Sequence, residues 1–211
     1  MPNRSYLCGS RQPRLHPSYW DEAFDPDTQI LVNDVIGVPA LWFALFRPDD
    51  VVSQVFETDE GHFHVEAPIA SKEKALAQLR SAGGVLDEAF AALGSAAGYL
   101  PLFEQAIAAS TWPYVTIEMT EIAYAGDPAA FYADVRRLLE KMEQQTADGI
   151  LELLSDLSAF EALTVLPPAR YCLDALEDVT ENDAWNHCRM IGAGQLHSGI
   201  GRAVPWEPEG E

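Results

Sequence analysis

The segment His62-Phe63-His64-Val65-Glu66 places two imidazoles and a carboxylate at alternate positions. In a strand, alternate side chains lie about 7 Å apart on one face, so these three polar groups would face the same way. Two imidazole nitrogens and a carboxylate oxygen are a legitimate zinc ligand set. The segment predicts either a metal-dependent enzyme or the polar face of a half-buried strand. A third histidine could complete the metal set, from His16, His187 or His197.

Two further groupings carry possible chemistry. His187-Cys188, with Cys172 and His197, could form a zinc cluster or a cysteine nucleophile with its base, although the spacings match no familiar zinc pattern. Burial of the cysteines as small apolar side chains is the favoured interpretation. The segment Ser71-Lys72-Glu73-Lys74 has the S-x-x-K spacing of penicillin-recognising serine enzymes without their other motifs, so we expect Ser71 to cap a helix.

The stretch Trp112 to Gly126 is the longest run of β-branched and aromatic residues, and it predicts the central strand of the fold. Glu118 and Glu121 fall within it, and a regular strand cannot bury both on one face. A bulge near Thr120 would reconcile them. A buried Glu121 would need a cationic partner or would act as a general acid or base, and the structural role is favoured.

The net charge is the most unusual property of the composition. Thirteen lysines and arginines stand against thirty-three acids, for a formal net charge of −20. Such a field repels nucleic acids and anionic membrane surfaces, and it attracts a basic protein. Aromatic residues among the acids are typical anchors of an interface, although they could also fix loops onto the domain. The predicted partner-binding residues are Tyr19, Trp20, Asp21, Glu22, Asp25, Asp27, Asp49, Asp50, Trp185 and Trp206.

Length and composition predict a single globular domain over residues 1–211, because 48% of the residues are apolar and 22% are charged. We find no stretch of about 20 apolar residues and no secretory signal pattern. Three separated cysteines without C-x-x-C spacing favour reduced thiols and a cytoplasmic location. No cofactor-binding motif is present, so no cofactor is predicted, and the sequence leaves the oligomeric state open.

The remaining elements predict an α+β fold with a small mixed or antiparallel sheet and helices packed on it. Gly61 to Ile69 alternates as a half-buried strand. The helix capped by Ser71 is expected to end at Gly83-Gly84. Asp127 and Pro128 form the clearest helix start in the chain. The buried stripe of that helix is predicted to be Phe131, Val135, Leu138, Leu139 and Met142, and its opposite face Asp134, Arg136, Arg137 and Lys141.

The opening Asn3-Arg4-Ser5-Tyr6-Leu7 and the closing Val204-Pro205-Trp206-Glu207 resemble the ends of an uncharacterised bacterial domain family whose members begin with a similar segment. The resemblance implies a bacterial cytoplasmic protein and carries over no catalytic residue. Charge and motifs together favour a non-catalytic, acidic, protein-binding protein, of the type that inhibits a basic toxin such as a nuclease. The alternative is a metal-dependent enzyme that uses the His-x-His-x-Glu strand.

Overall fold

The computed structural model describes residues 4–15, 27–34, 37–58, 61–90 and 100–155. These residues form a five-stranded sheet with the order β2-β1-β5-β4-β3, and every neighbouring pair is antiparallel. The α+β prediction is therefore confirmed, with an antiparallel sheet. The strands are β1 (Ser5–Ser10), β2 (Thr28–Asp34), β3 (Val51–Thr58), β4 (Gly61–Ser71) and β5 (Tyr114–Glu118).

Five α-helices accompany the sheet in the described part of the chain, and the apolar segment before β3 forms a 3-10 helix over Ala40–Leu45. A second, short 3-10 turn over Pro48–Asp50 leads directly into β3. The α-helices are α1 (Lys72–Phe90), α2 (Leu100–Ala108), α3 (Thr120–Tyr124), α4 (Pro128–Glu143) and α5 (Ala147–Ser155).

The main core lies on one face of the sheet, where alternate side chains of β1, β4 and β5 meet the helices. Leu7, Ile117 and Val65 supply it from the sheet, and the fully buried Trp42 is the largest side chain within it. A smaller cluster of Tyr6, Cys8 and Ile30 lies on alternate positions of β1 and on β2. Burying apolar area at about 25 cal/mol per Å² makes such a core the dominant stabilising contribution.

The start of α4 confirms the sequence prediction. The Asp127 carboxylate accepts hydrogen bonds from the backbone N–H groups of Ala129, at 2.9 Å, and Ala130, at 3.2 Å. Pro128 occupies the first turn. All five residues of the predicted stripe are buried. Asp134 was predicted on the polar face, but it is buried as well, and its carboxylate pairs with Arg137 one turn along the helix.

The prediction that α1 ends at Gly83-Gly84 is wrong, because the helix continues through both glycines to Phe90. Its start is confirmed, since the Ser71 hydroxyl accepts a hydrogen bond from the Lys74 N–H at 3.2 Å. The buried stripe of Ala75, Leu79, Ala82, Leu86 and Ala89 continues across the glycines, and packing of that stripe outweighs the low helix propensity of glycine.

The central strand is confirmed in position and corrected in length. β5 lies in the middle of the sheet, but it ends at Glu118, and α3 begins at Thr120. The predicted bulge near Thr120 is therefore a change from strand to helix. The buried Glu118 carboxylate accepts a hydrogen bond from the Thr120 N–H at 2.9 Å and so stabilises that change of direction.

Among the described helices, none combines the length and apolar character that a bilayer crossing requires.

Several predicted residues lie outside the described ranges. The residues of the predicted sites that fall outside are Tyr19, Trp20, Asp21, Glu22, Asp25, Trp185 and Trp206, together with Cys172, Cys188, His16, His187 and His197.

Candidate functional site

The sheet divides between β4 and β5, and the predicted His-x-His-x-Glu segment lies at that division. β4 pairs with β5 only through Ile69, Ala70 and Ser71, whereas its earlier residues pair with β3 alone. Beside those earlier residues, α3 and α4 take the place of a strand. The Tyr124 hydroxyl donates to the carbonyl of His64 at 3.0 Å, so a side chain supplies one of the contacts that a neighbouring strand would make.

Glu66 is the buried acid of this segment, with 4% of the residue exposed. One carboxylate oxygen, Oε1, accepts a hydrogen bond from the Arg136 guanidinium of α4 and lies 3.4 Å from His64 Nε2. The other oxygen, Oε2, is buried with no hydrogen-bond partner. A carboxylate held in this way requires its cation, because an unpaired buried charge is strongly destabilising.

His64 lies between Ser53 and Glu66, and these three residue types are those of a serine-histidine-carboxylate catalytic triad. Ser53 Oγ is 2.7 Å from His64 Nε2, and the Glu66 carboxylate approaches the same nitrogen. A catalytic triad needs the hydroxyl on one ring nitrogen and the carboxylate on the other, so that the imidazole passes a proton between them. Because both groups meet at one nitrogen, this arrangement does not support that relay.

Of the three predicted metal ligands, His64 and Glu66 lie close together, but His62 does not join them. His62 Nδ1 lies 3.7 Å from the exposed Glu57 carboxylate on β3, whereas Glu66 faces Arg136. Within the described ranges, no group of three histidine, cysteine, aspartate or glutamate side chains is placed to hold a metal ion. The Arg136 guanidinium already pairs with Glu66, at the carboxylate that a bound metal ion would need as a ligand.

A small pocket of about 20 Å³ opens where β4 and β5 separate, and Cys8, Glu66 and Glu118 are among its lining residues. That volume is close to the minimum that holds one water molecule. Burial raises the pKa of the Cys8 thiol, and the neighbouring Glu118 raises it further. Cys8 is therefore a protonated, buried thiol at neutral pH, which is the opposite of an activated nucleophile.

Tyr132 of α4 reaches the same region from the helical side. Its ring meets the His64 ring edge to face at a centroid distance of 6.2 Å, and its hydroxyl is buried beside the Glu66 backbone. Burial raises the pKa of this hydroxyl. Nothing in the sequence indicated that Tyr132 and Arg136 of α4 and Ser53 of β3 would lie beside His64 and Glu66, because these residues come from two separate elements.

Glu121 has a different partner from the one that the sequence suggested. Its carboxylate oxygen Oε2 accepts a hydrogen bond from the backbone N–H of Arg4 at 2.9 Å, and the residue is only partly buried. A backbone N–H group therefore takes the place of the cationic partner that was predicted for a buried Glu121. Glu121 therefore ties α3 to the start of β1, and the structural interpretation is the one that its contacts support.

Three of the predicted partner-binding acids are described, and they differ in accessibility. Asp49 is exposed over 78% of its side chain, and Asp27 is partly covered where it meets Arg11 and Arg14. Asp50 is buried, and its carboxylate accepts hydrogen bonds from Lys74 Nζ at 2.6 Å and the Arg47 N–H at 2.8 Å. Burial therefore excludes Asp50 from direct contact with a partner.

The exposed basic residues of the described surface are paired with carboxylates of the same chain. Every exposed arginine or lysine there lies within 4.0 Å of a carboxylate, and each has at least one such carboxylate that is buried or half-buried. The exposed basic residues are Arg11, Arg14, Lys74, Arg80, Arg136 and Arg137. The exposed acids are Asp49, Glu57, Glu73, Glu88, Asp127, Glu140, Glu143, Asp148 and Glu152.

Comparisons with protein-family models, curated proteins and solved structures found no match to this chain.

Proposed function

We propose that this protein is a non-catalytic, acidic, protein-binding protein whose partner is a basic protein. The observation that supports this proposal best is that the exposed basic residues pair with carboxylates of the same chain. Arg136 is held by Glu66, Arg137 by Asp134 and Lys74 by Asp50, so these cations neutralise carboxylates that the surface does not display. The outward-facing acids then set the electrostatic field, which attracts and orients a positively charged partner.

The finer form of the proposal is an immunity or antitoxin-type role, in which the protein inhibits a basic toxin such as a nuclease. A nuclease binds the phosphate backbone of its substrate through lysine and arginine side chains. A protein with a formal charge of −20 could cover those side chains as a mimic of the polyanion.

The first test is direct binding. The full chain would be used to capture proteins from an extract of its source cell, and each captured protein would be purified and measured by calorimetry over a salt series. We expect a partner with a strongly basic isoelectric point and an affinity that falls as salt rises above about 0.1 M, where the Debye length is near 10 Å. A neutral or acidic partner, or an affinity independent of salt, would contradict the proposal.

Variants of the acidic surface provide a matched control. Replacing Glu140 and Glu143 by glutamine removes two exposed charges from the end of α4 and should slow association with the purified partner by roughly twofold or more. Replacing the exposed Gln105 and Gln144 by asparagine changes no charge and should leave the association rate unchanged. Equal association rates for the two variants would show that the surface charge does not drive the interaction, and would contradict the proposal.

A further inference from the structure

Strand β3 forms an edge of the sheet, and within the described residues Glu57 is the one feature of β3 that commonly protects such an edge. Its eight residues pair in continuous register with β4 from Val51 to Thr58, and none of the described strands pairs with its other side. Natural edge strands are commonly blocked by proline, lysine, a bulge or short length. The sequence VVSQVFET contains no proline and no lysine, and its pairing shows no bulge.

The backbone groups that face outward follow from the pairing with β4. Val51 lies opposite Pro68, which has no N–H, and the Val51 N–H donates to the Pro48 carbonyl instead of to β4. Bonded and non-bonded pairs alternate along an antiparallel ladder. Ser53, Val55 and Glu57 therefore direct their N–H and C=O groups away from β4, where another strand could bind them.

Apolar side chains flank this row of backbone groups. Val55 is 58% exposed and Val52 is 37% exposed, and they are the exposed large hydrophobic residues of the described part of the chain. They point to opposite faces of the sheet, because they are separated by an odd number of positions. An added strand could therefore cover apolar area on both faces while its backbone pairs with β3.

Charge decides which strand would bind. Asp49 precedes β3 and, together with the buried Asp50, outnumbers the one lysine beside it, Lys74, whereas Glu57 near the other end is exposed over 82% of its side chain. A second copy of this chain would bring another formal charge of −20 against the same edge, and like charges across a pair of strands are destabilising. Lysine or arginine side chains on an incoming strand would instead lie beside the carboxylates of Asp49 and Glu57.

We infer that the open edge of β3 is the docking site for an extended basic segment of the partner protein, which adds to the sheet as a sixth strand. The inference rests on the proposed function and assigns it to a particular surface. Main-chain hydrogen bonds to Ser53, Val55 and Glu57 supply the pairing, the exposed valines supply apolar contact, and the flanking acids select a basic sequence.

The experiment measures binding of a synthetic nonapeptide, with valines at its centre and lysines at both ends, to the full chain at about 0.15 M salt. Val55→Pro removes an outward N–H and leaves the ladder to β4 intact, so we expect affinity to fall at least tenfold. The matched control Val55→Thr keeps the N–H and should stay within twofold of the parent. Circular dichroism checks that both variants fold.

Two peptide controls leave the protein unchanged, so they remain decisive if Val55→Pro fails to fold. N-methylation at every residue keeps the charge of the peptide but removes its donors, and it should abolish binding. A glutamate-valine peptide should not bind either. Amide exchange of the chain should slow at Ser53, Val55 and Glu57 when the basic peptide is added.

Each contrary result points to a different conclusion. If the N-methylated peptide binds as well as its parent, or the amides of β3 exchange unchanged, the docking site is overturned while the basic-partner proposal stands. Formation of dimers through β3 in the absence of peptide would assign the edge to a second copy and overturn the inference. If neither the peptide nor any captured basic protein binds, both proposals fail.

Discussion

Removing Arg136 tests whether the buried Glu66 depends on its cation. In Arg136→Ala the Glu66 carboxylate keeps only the approach of His64 Nε2 at 3.4 Å, in a side chain that is almost fully buried. Breaking a buried ion pair typically costs 3–5 kcal/mol. Because Arg136 is itself 48% exposed, we take the lower end and expect a loss of about 3 kcal/mol in the free energy of unfolding.

Glu66→Gln removes the buried charge, so no buried carboxylate is left that needs Arg136. We expect this variant to lose about 1 kcal/mol in the free energy of unfolding. The double variant should lose about 1.5 kcal/mol, which leaves a coupling energy of about 2.5 kcal/mol between the two side chains. Urea unfolding followed by circular dichroism measures all four proteins. With a slope near 2 kcal/mol per M, Arg136→Ala should lower the midpoint by about 1.5 M.

Arg80→Ala is the matched control, since Arg80 also lies on a helix and pairs with a carboxylate, Glu104, but both side chains are more exposed. A surface pair of this kind contributes about 0–1 kcal/mol. The reasoning would be refuted if Arg136→Ala and Arg80→Ala had the same effect, or if the losses at Glu66 and Arg136 simply added.

Three further outcomes follow from the described contacts. Gly84→Ala should raise the free energy of unfolding by about 0.5–1 kcal/mol, because a Cβ there meets no atom within 4 Å and the helix continues through it; a loss in thermal unfolding would contradict this geometry. Asp127→Ala should cost about 1 kcal/mol by removing the cap of α4, whereas Asp127→Asn should cost much less in the same measurement. Cys8 has a raised pKa in the folded state, so its stabilising contribution is present below the unfolded thiol pKa of about 8.5 and declines as pH rises above it. The stability advantage of the parent over Cys8→Ala should therefore shrink by about 1–2 kcal/mol between roughly pH 7 and pH 10, and a constant difference would contradict the burial of this thiol.

The sequence predicted those elements whose determining contacts lie within a few residues of one another. Asp127 and Pro128 identify the start of α4 because the cap bonds residues two and three positions away. Ser71 caps α1 for the same reason. The strand β5 was predictable from its β-branched and aromatic residues, which pack well in a strand inside a sheet.

Contacts between distant segments account for what the sequence did not reveal. The burial of Glu66 depends on Arg136, which lies on another element and carried no sign of that pairing. The Gly83-Gly84 pair indicated a helix end, but tertiary packing of the stripe from Ala75 to Ala89 carried α1 past it. The open edge of β3 was equally hidden, because strand order is a property of the whole sheet.

The central position of β5 has a consequence for the order in which the sheet can form. β1 pairs with β5, for example Leu7 with Ile117, while β2, β3 and β4 all lie between them in the chain. Loop-closure entropy must be overcome before such a distant pairing is gained, which slows folding. During synthesis the β1–β2 and β3–β4 hairpins are both made before β5 emerges to join them. The last of the described strands to be synthesised is thus the one that joins two separate hairpins into a single sheet.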